Sequence, residues 1–268
     1  MVSDHNDLDP AGTGPTPTGT DAVPTGAQAV DRAISLLLCF LGPATELSLT
    51  ELADRTGLKL STAHRLIRAW CRGGLVQQDE LTERYRLGTT TVALGQIALA
   101  HADLSGAMDE LRALSDRTGE TSSLGILDGS DVVILLQVPG RHPLRFERPA
   151  GTRVPAHASA MGKVLMANRT TDPRAGAPLL PFTSRTIVDP HALDGELLRV
   201  RSDGFAVNDG EQFEGVVAVS APVLDRSGRV IAAIAVQVPA ARANALRRTE
   251  LRQQVQDSAR HIGAPGRS

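Results

Sequence analysis

Apolar residues at Val30, Ala33, Ile34, Leu37, Leu38 and Leu41 recur at helical spacing and stop at Gly42-Pro43, a pair that ends helices. Ser48-Leu49-Thr50-Glu51 has the form of a capping box, in which the hydroxyl and the carboxylate each bond the other residue's backbone amide. It opens a short helix predicted to run to Thr56 and to stop at Gly57. A third helix is predicted from Ser61 to Arg72, closed by Gly73-Gly74. Residues 75–78 and 84–87 then form a strand pair around a polar turn at 79–83. Residues 89–103 are helical in pattern and almost uncharged, and 104–117 form an amphipathic helix ending at Gly119.

Beyond Gly119 strand patterns dominate. Residues 124–127 and 132–138 pair across the turn 128–131, and 216–223 pair with 229–238 across 225–228. Between them, 154–168 begins as loop and becomes helix, 192–201 is helical, and a last helix spans 243–262. Strand runs between flanking helices predict an α+β architecture. Residues 1–26 differ from all of this: four Pro, four Gly, five Thr and four Asp stand there without one Lys or Arg. Such a segment buries too little apolar surface to offset its ordering entropy and is expected to be a disordered tail. The domain plan is therefore a tail at 1–26, a winged helix-turn-helix at 27–88, a linker helix at 89–103 and a sheet domain at 104–265.

The third helix carries the first chemical signal. Ala63, Leu66, Ile67 and Trp70 fall on one side, and Ser61, Arg65, Arg68 and Arg72 fall opposite within an arc of roughly 60°. From Arg55 through Gln78 there are five Lys or Arg and no acid. A short helix with one apolar face and one cationic, hydroxyl-bearing face suits a major groove, where arginine bonds guanine edges or phosphates and Ser or Thr contact either. A basic face alone is usually only solvated surface. Here the capped helix before it, the turn at Gly57-Leu58-Lys59-Leu60 and the hairpin after it make the order of a winged helix-turn-helix. The DNA-facing set is expected to be Lys59, Ser61, Thr62, His64, Arg65, Arg68 and Arg72, with Arg84 on the wing.

Composition narrows the picture. The formal net charge is −2, so a nucleic-acid surface has to be a local patch; removing the four tail Asp leaves about +2 for the rest. Aromatics are 3% of the chain, which argues against single-strand binding by stacked rings. Two isolated cysteines, Cys39 and Cys71, form no zinc motif or disulfide framework and suit a cytoplasmic protein. No segment has the pattern of a signal peptide or membrane span.

The run from Leu47 through Leu66, continuing to Tyr85-Arg86-Leu87-Gly88, resembles the IclR family of regulators. So do Thr118–Thr121, His157–Lys163, Ser184-Arg185-Thr186, Gly204–Val207 and Ala221-Pro222-Val223, in the family's order, so that the resemblance covers roughly residues 27–265. It implies a DNA-binding transcription regulator with a GAF-like effector domain, assembled as homodimers or tetramers on a pseudo-palindromic double-stranded operator. It also implies a small-molecule effector in a concave site, lined here by Phe146, Val154, Ala160, Met161, Asn208, Asp209, Ala218, Ala235 and Gln237. The family often has Cys where Ala218 stands. Members that bind small keto acids carry small hydroxyl residues at the positions of Ala235 and Gln237, and Gly-Ala at Ala160-Met161. The replacements remove hydroxyl donors and add apolar bulk, which points to a ligand larger or more apolar than glyoxylate or pyruvate.

Catalytic readings fail on inspection. Met161-Gly162-Lys163-Val164 lacks the upstream Gly and the following Ser or Thr of a phosphate-binding loop. Ser159 is not in a G-x-S-x-G turn. No His pair has metal-ligand spacing, so neither a metal nor a cofactor is expected. The remaining enzymatic alternative is hydrolysis through Asp209 or Glu211.

Overall fold

The computed structural model describes residues 25–41, 44–169 and 178–263. The expected tail lies outside them except for Thr25 and Gly26, which open the first helix, and the Gly42-Pro43 stop also lies outside.

The N-terminal unit comprises α1 (Thr25–Leu38) with a 3-10 turn at Cys39–Leu41, α2 (Leu49–Thr56), α3 (Leu60–Arg72), β1 (Val76–Gln78) and β2 (Tyr85–Leu87). Ser48 and Glu51 close the capping box at 3.2 and 2.7 Å, and Gly57 ends α2 at φ 66°, a left-handed conformation that only glycine adopts without strain. Leu36, Phe40, Leu47, Leu52, Ile67 and Tyr85 meet in the core of this unit.

The apolar stripe read on α1 is corrected by the fold. Val30, Ile34, Leu38 and Leu41 are exposed, and the helix turns Ala33, Leu36, Leu37 and Phe40 inward. Both sets obey helical spacing, so α1 is apolar on two sides and the pattern alone does not select the buried one.

Helix α4 (Thr89–His101) leaves this unit and buries none of its residues. Its start is tied to the wing by Thr91 Oγ1 to Leu75 O (2.8 Å) and Thr90 N to Gly74 O (3.1 Å). Near its end Leu99 packs on the larger core.

The second unit runs α5 (Ala107–Thr118), β3 (Thr121–Asp128), β4 (Asp131–Val138), β5 (Arg153–Pro155), a 3-10 turn (Ala156–Ala158), α6 (Ala160–Ala167), α7 (Pro190–Asp203), β6 (Ala206–Asp209), β7 (Val216–Leu224), β8 (Val230–Pro239) and α8 (Ala245–Gly263). The strands form one antiparallel sheet in the order β5-β4-β3-β8-β7-β6. Along β8, Ile234, Val236 and Val238 face the layer of α5 and α8, whereas Ala233 and Ala235 face α6 and α7. A strand buried on both faces reads as a continuous apolar run, as β8 does. Strands β5 and β6, at three and four residues, are too short to show a period and were not expected. Among the described residues no helix is long and apolar enough to cross a membrane.

Candidate functional site

Two surfaces hold chemistry. On α3 the core takes Ala63 and Ile67, with Leu66 and Trp70 half-buried beside them. Lys59, Ser61, His64, Arg65, Arg68 and Arg72 are exposed on the remaining surface, with Thr62 half-buried. Lys59, Arg65, Arg68 and Arg72 have no acidic partner among the described residues. Three unpaired arginines on one short helix, with Lys59 at its N-cap, make a local positive patch on a chain of net charge −2. Arg84 is placed differently from the expected wing contact. Its guanidinium donates to Glu51 Oε2 at 2.7 Å and to Glu46 O at 3.0 Å, binding the wing to α2.

The second surface is a cavity where α6 meets the sheet. Gly162 lets α6 begin directly against the 3-10 turn, because a side chain there would meet Ala156 O at 2.1 Å. Ser159 caps the helix by accepting from Gly162 N at 3.1 Å. The first-turn amides of Ala160 and Met161 have no intrahelical acceptor, and both residues line the cavity. Cross-strand pairing of Ala218 with Gln237 and of Ser220 with Ala235 sets the floor. The space within the cavity that water can reach is about 30 Å³, room for about two waters. It lies inside a concavity of about 380 Å³ that opens to solvent.

Phe146, Ala160, Met161, Asn208, Ala218, Ala235 and Gln237 of the expected set line this cavity. Val154 does not; it is buried in the core with Val132 and Ile134. Nor does Asp209, whose carboxylate turns to Arg185 at 3.3 Å and Arg248 at 3.1 Å. Asn208 lines the wall but its amide is spent on the protein: Nδ2 donates to Ala158 O, and Oδ1 accepts from Glu211 N at 3.1 Å. Gln237 is freer. Its Oε1 accepts from Ser123 Oγ at 3.2 Å, leaving the Nε2 donor for the cavity.

Sequence reasoning missed Arg148, Ser159, Gln212, Phe213 and Val216 on the lining. Ser159 carries a signal, the hydroxyl just before a helix start. Arg148, Gln212 and Phe213 lie in irregular segments, where no period marks which side chains turn inward. Burial pulls the Arg148 guanidinium down to about 10.

Lys163 of α6 is almost fully buried. Its ammonium donates to Glu211 Oε1 (2.6 Å), Val207 O (2.7 Å) and Glu196 Oε1 (3.3 Å), so all three protons are used. Asp209 and Glu211 are both held in ion pairs, Asp209 with Arg185 and Arg248 and Glu211 with Lys163. Among the described residues no group of three or more His, Cys, Asp or Glu is placed to hold a metal.

The comparisons with known proteins agree across both units. Residues 29–80 match the family described as the IclR helix-turn-helix domain, and residues 95–264 match Bacterial transcriptional regulator IclR C-terminal. The HTH-type transcriptional regulator BhcR of Paracoccus denitrificans is 33% identical over 238 residues, covering 87% of this chain and 85% of its own. A crystallised protein of Rhodococcus sp. RHA1 superimposes with TM-score 0.73 at 30% identity, covering 88% of this chain and 96% of that one. An IclR homologue of Microbacterium hydrocarbonoxydans, crystallised with 4-hydroxybenzoate, shares the fold at TM-score 0.73 and 22% identity, over 88% of this chain and 98% of its own.

Proposed function

This chain belongs to the IclR family of bacterial transcriptional regulators, DNA-binding proteins and not enzymes, and from that premise we propose how its two surfaces work. The cationic face of α3 enters a major groove, with Arg65 and Arg68 reaching base edges or phosphates and Lys59, Ser61, Thr62, His64 and Arg72 around them. The cavity beside α6 takes a small-molecule effector that changes operator affinity. Helix α4, tied to the wing at one end and to the sheet core at the other, transmits the change. A homodimer or tetramer presents paired recognition helices to a pseudo-palindromic site.

The observation that carries the DNA reading is the set of three unpaired arginines, Arg65, Arg68 and Arg72, on one exposed face of α3. It is tested by fluorescence anisotropy with duplex DNA flanking the gene, across a salt series. Arg65→Ala costs about 1–3 kcal/mol and relaxes preference at one position if the residue bonds a base; a phosphate contact instead lowers the salt slope by about one. Wild-type binding by both Arg65→Ala and Arg68→Ala at every salt concentration refutes the assignment.

A further inference from the structure

Five arginines among the described residues are partly buried: Arg84, Arg148, Arg242, Arg247 and Arg248. Four have a carboxylate within 3.1 Å: Glu51, Glu120, Glu250 and Asp209 respectively for Arg84, Arg242, Arg247 and Arg248. Arg148 has none. Its one side-chain hydrogen bond runs from Nη2 to the neutral Gln212 Oε1 at 2.5 Å. Its guanidinium carbon lies 4.8 Å from the ring centre of Phe146 and 5.2 Å from that of Phe213, the two rings being 5.3 Å apart. All four residues line the cavity.

A partly desolvated cation without a counter-ion is costly, and proteins keep such groups where a charge arrives later. Loss of solvent around Arg148 has no nearby acid to offset it. Its backbone is also held, since Arg148 N donates to Gln137 Oε1 at 3.0 Å, and Gln137 Nε2 bonds Ser123, which in turn bonds Gln237. The cation is therefore fixed on the same polar chain that presents the Gln237 amide to the cavity.

We propose that Arg148 is the anion anchor of this cavity and that the effector is a carboxylate whose apolar body lies against Phe146, Phe213 and Met161. The proposal rests on the reading of the cavity as the effector site. The planar guanidinium bonds a carboxylate through two parallel N–H donors, and the two rings face the ligand's apolar part. Gln212 holds the fork until the carboxylate replaces it. Gly210 and Gly215, both at positive φ, bracket the loop that carries Gln212 and would move with that exchange. The accessible space of about 30 Å³ is too small for a ring, so a ring-bearing ligand seats fully only if Met161 or a phenylalanine rotates.

The test uses the full chain and matched probes, each acid beside its neutral primary amide: benzoate and benzamide, hexanoate and hexanamide, pyruvate and pyruvamide. Calorimetric titration is expected to show at least one acid bound about tenfold or more tighter than its amide, the worth of one charge-assisted pair. Arg148→Gln is expected to abolish that preference while leaving the amide's affinity within about twofold. Arg148→Lys, which keeps the charge but loses the fork, is expected to weaken the acid about tenfold and serves where Arg148→Gln does not fold. Equal binding of acid and amide, undiminished acid binding by both variants, or no acid bound at 10 mM overturns the anchor. The cavity reading fails separately if a bound probe keeps its affinity in Ala218→Leu/Ala235→Leu.

Discussion

The Lys163 ammonium lies 2.6 Å from Glu211 Oε1 and joins helix α6 to the loop after β6, with Glu196 of α7 as a second carboxylate at 3.3 Å. In sequence the Gly-Lys pair lacks the surrounding residues of a phosphate-binding loop; in the fold the lysine is a buried staple whose every proton is used within the protein. Removing one partner of a buried pair leaves the other charge uncompensated, at a cost of about 3–5 kcal/mol. Lys163→Met is therefore expected to lower urea stability of the full chain by that amount. Lys163→Met/Glu211→Leu is expected to recover part of it, because one stranded carboxylate is gone. Equal stability of Lys163→Met and wild type would show that the staple carries no load.

Helix α3 was legible in sequence because its two faces differ in chemistry: Ala63 and Ile67 inward, Arg65 and Arg68 outward. The strands β3, β4, β7 and β8 were legible for the same reason, long runs bounded by turn residues. The cavity was legible only where the family's motifs fall on elements. Asp209 and Asn208 are adjacent on β6 and therefore face opposite ways, so only Asn208 reaches the wall. Arg148 was invisible because nothing in a chain with 26 arginines marks which of the partly buried ones, among the described residues, lacks an acid; that is a property of three-dimensional neighbours.

Acid is expected to loosen the start of α2. The Glu51 carboxyl is held below its ordinary 4.5 by the backbone amide and hydroxyl of Ser48, with Arg84 adding to the effect. A depressed acid stabilises the fold fully above its unfolded value and loses that contribution as pH falls through the folded one. The loss therefore begins near pH 4.5 and grows below it. Glu51→Gln keeps a capping acceptor without a titrating group. Its thermal midpoint should fall less than that of wild type between pH 6 and pH 3.5; parallel falls would rule out a role for this carboxylate.

Helix α4 is expected to be an interface between copies of this chain. Val92, Leu94 and Ile97 are 59, 55 and 53% exposed, and no residue of the helix is buried. A helix so apolar and so uncovered is unfavourable in water unless another surface takes its apolar side. The outward stripe of α1, with Val30 and Ile34, adds apolar surface to the same unit. Since Leu94 and Ile97 support no internal packing, replacing both with Asp should leave the monomer folded. Light scattering should then give the monomer mass, and tight operator binding should be lost. A variant that stays dimeric moves the interface elsewhere.

Filling the cavity should uncouple the effector from DNA without disabling DNA binding. Ala218 sits opposite Gln237 across β7 and β8, and Ala235 stands two residues before Gln237 on the same face of β8, so leucines at both positions project into the void. Overpacking costs about 1–3 kcal/mol, which thermal melts will register and which leaves α3 and its cations untouched. Operator affinity of Ala218→Leu/Ala235→Leu without ligand should therefore stay near wild type, while the response to any acid that acts on wild type disappears. Coupling of this kind is reciprocal. If a ligand shifts operator affinity by about 1–3 kcal/mol, operator DNA must shift ligand affinity by the same factor, because both are one difference between two arrangements of the protein. Calorimetric titration of that acid into protein with and without operator measures the factor directly. A ligand that binds the cavity with identical affinity in both titrations refutes transmission through α4 even though the cavity is occupied.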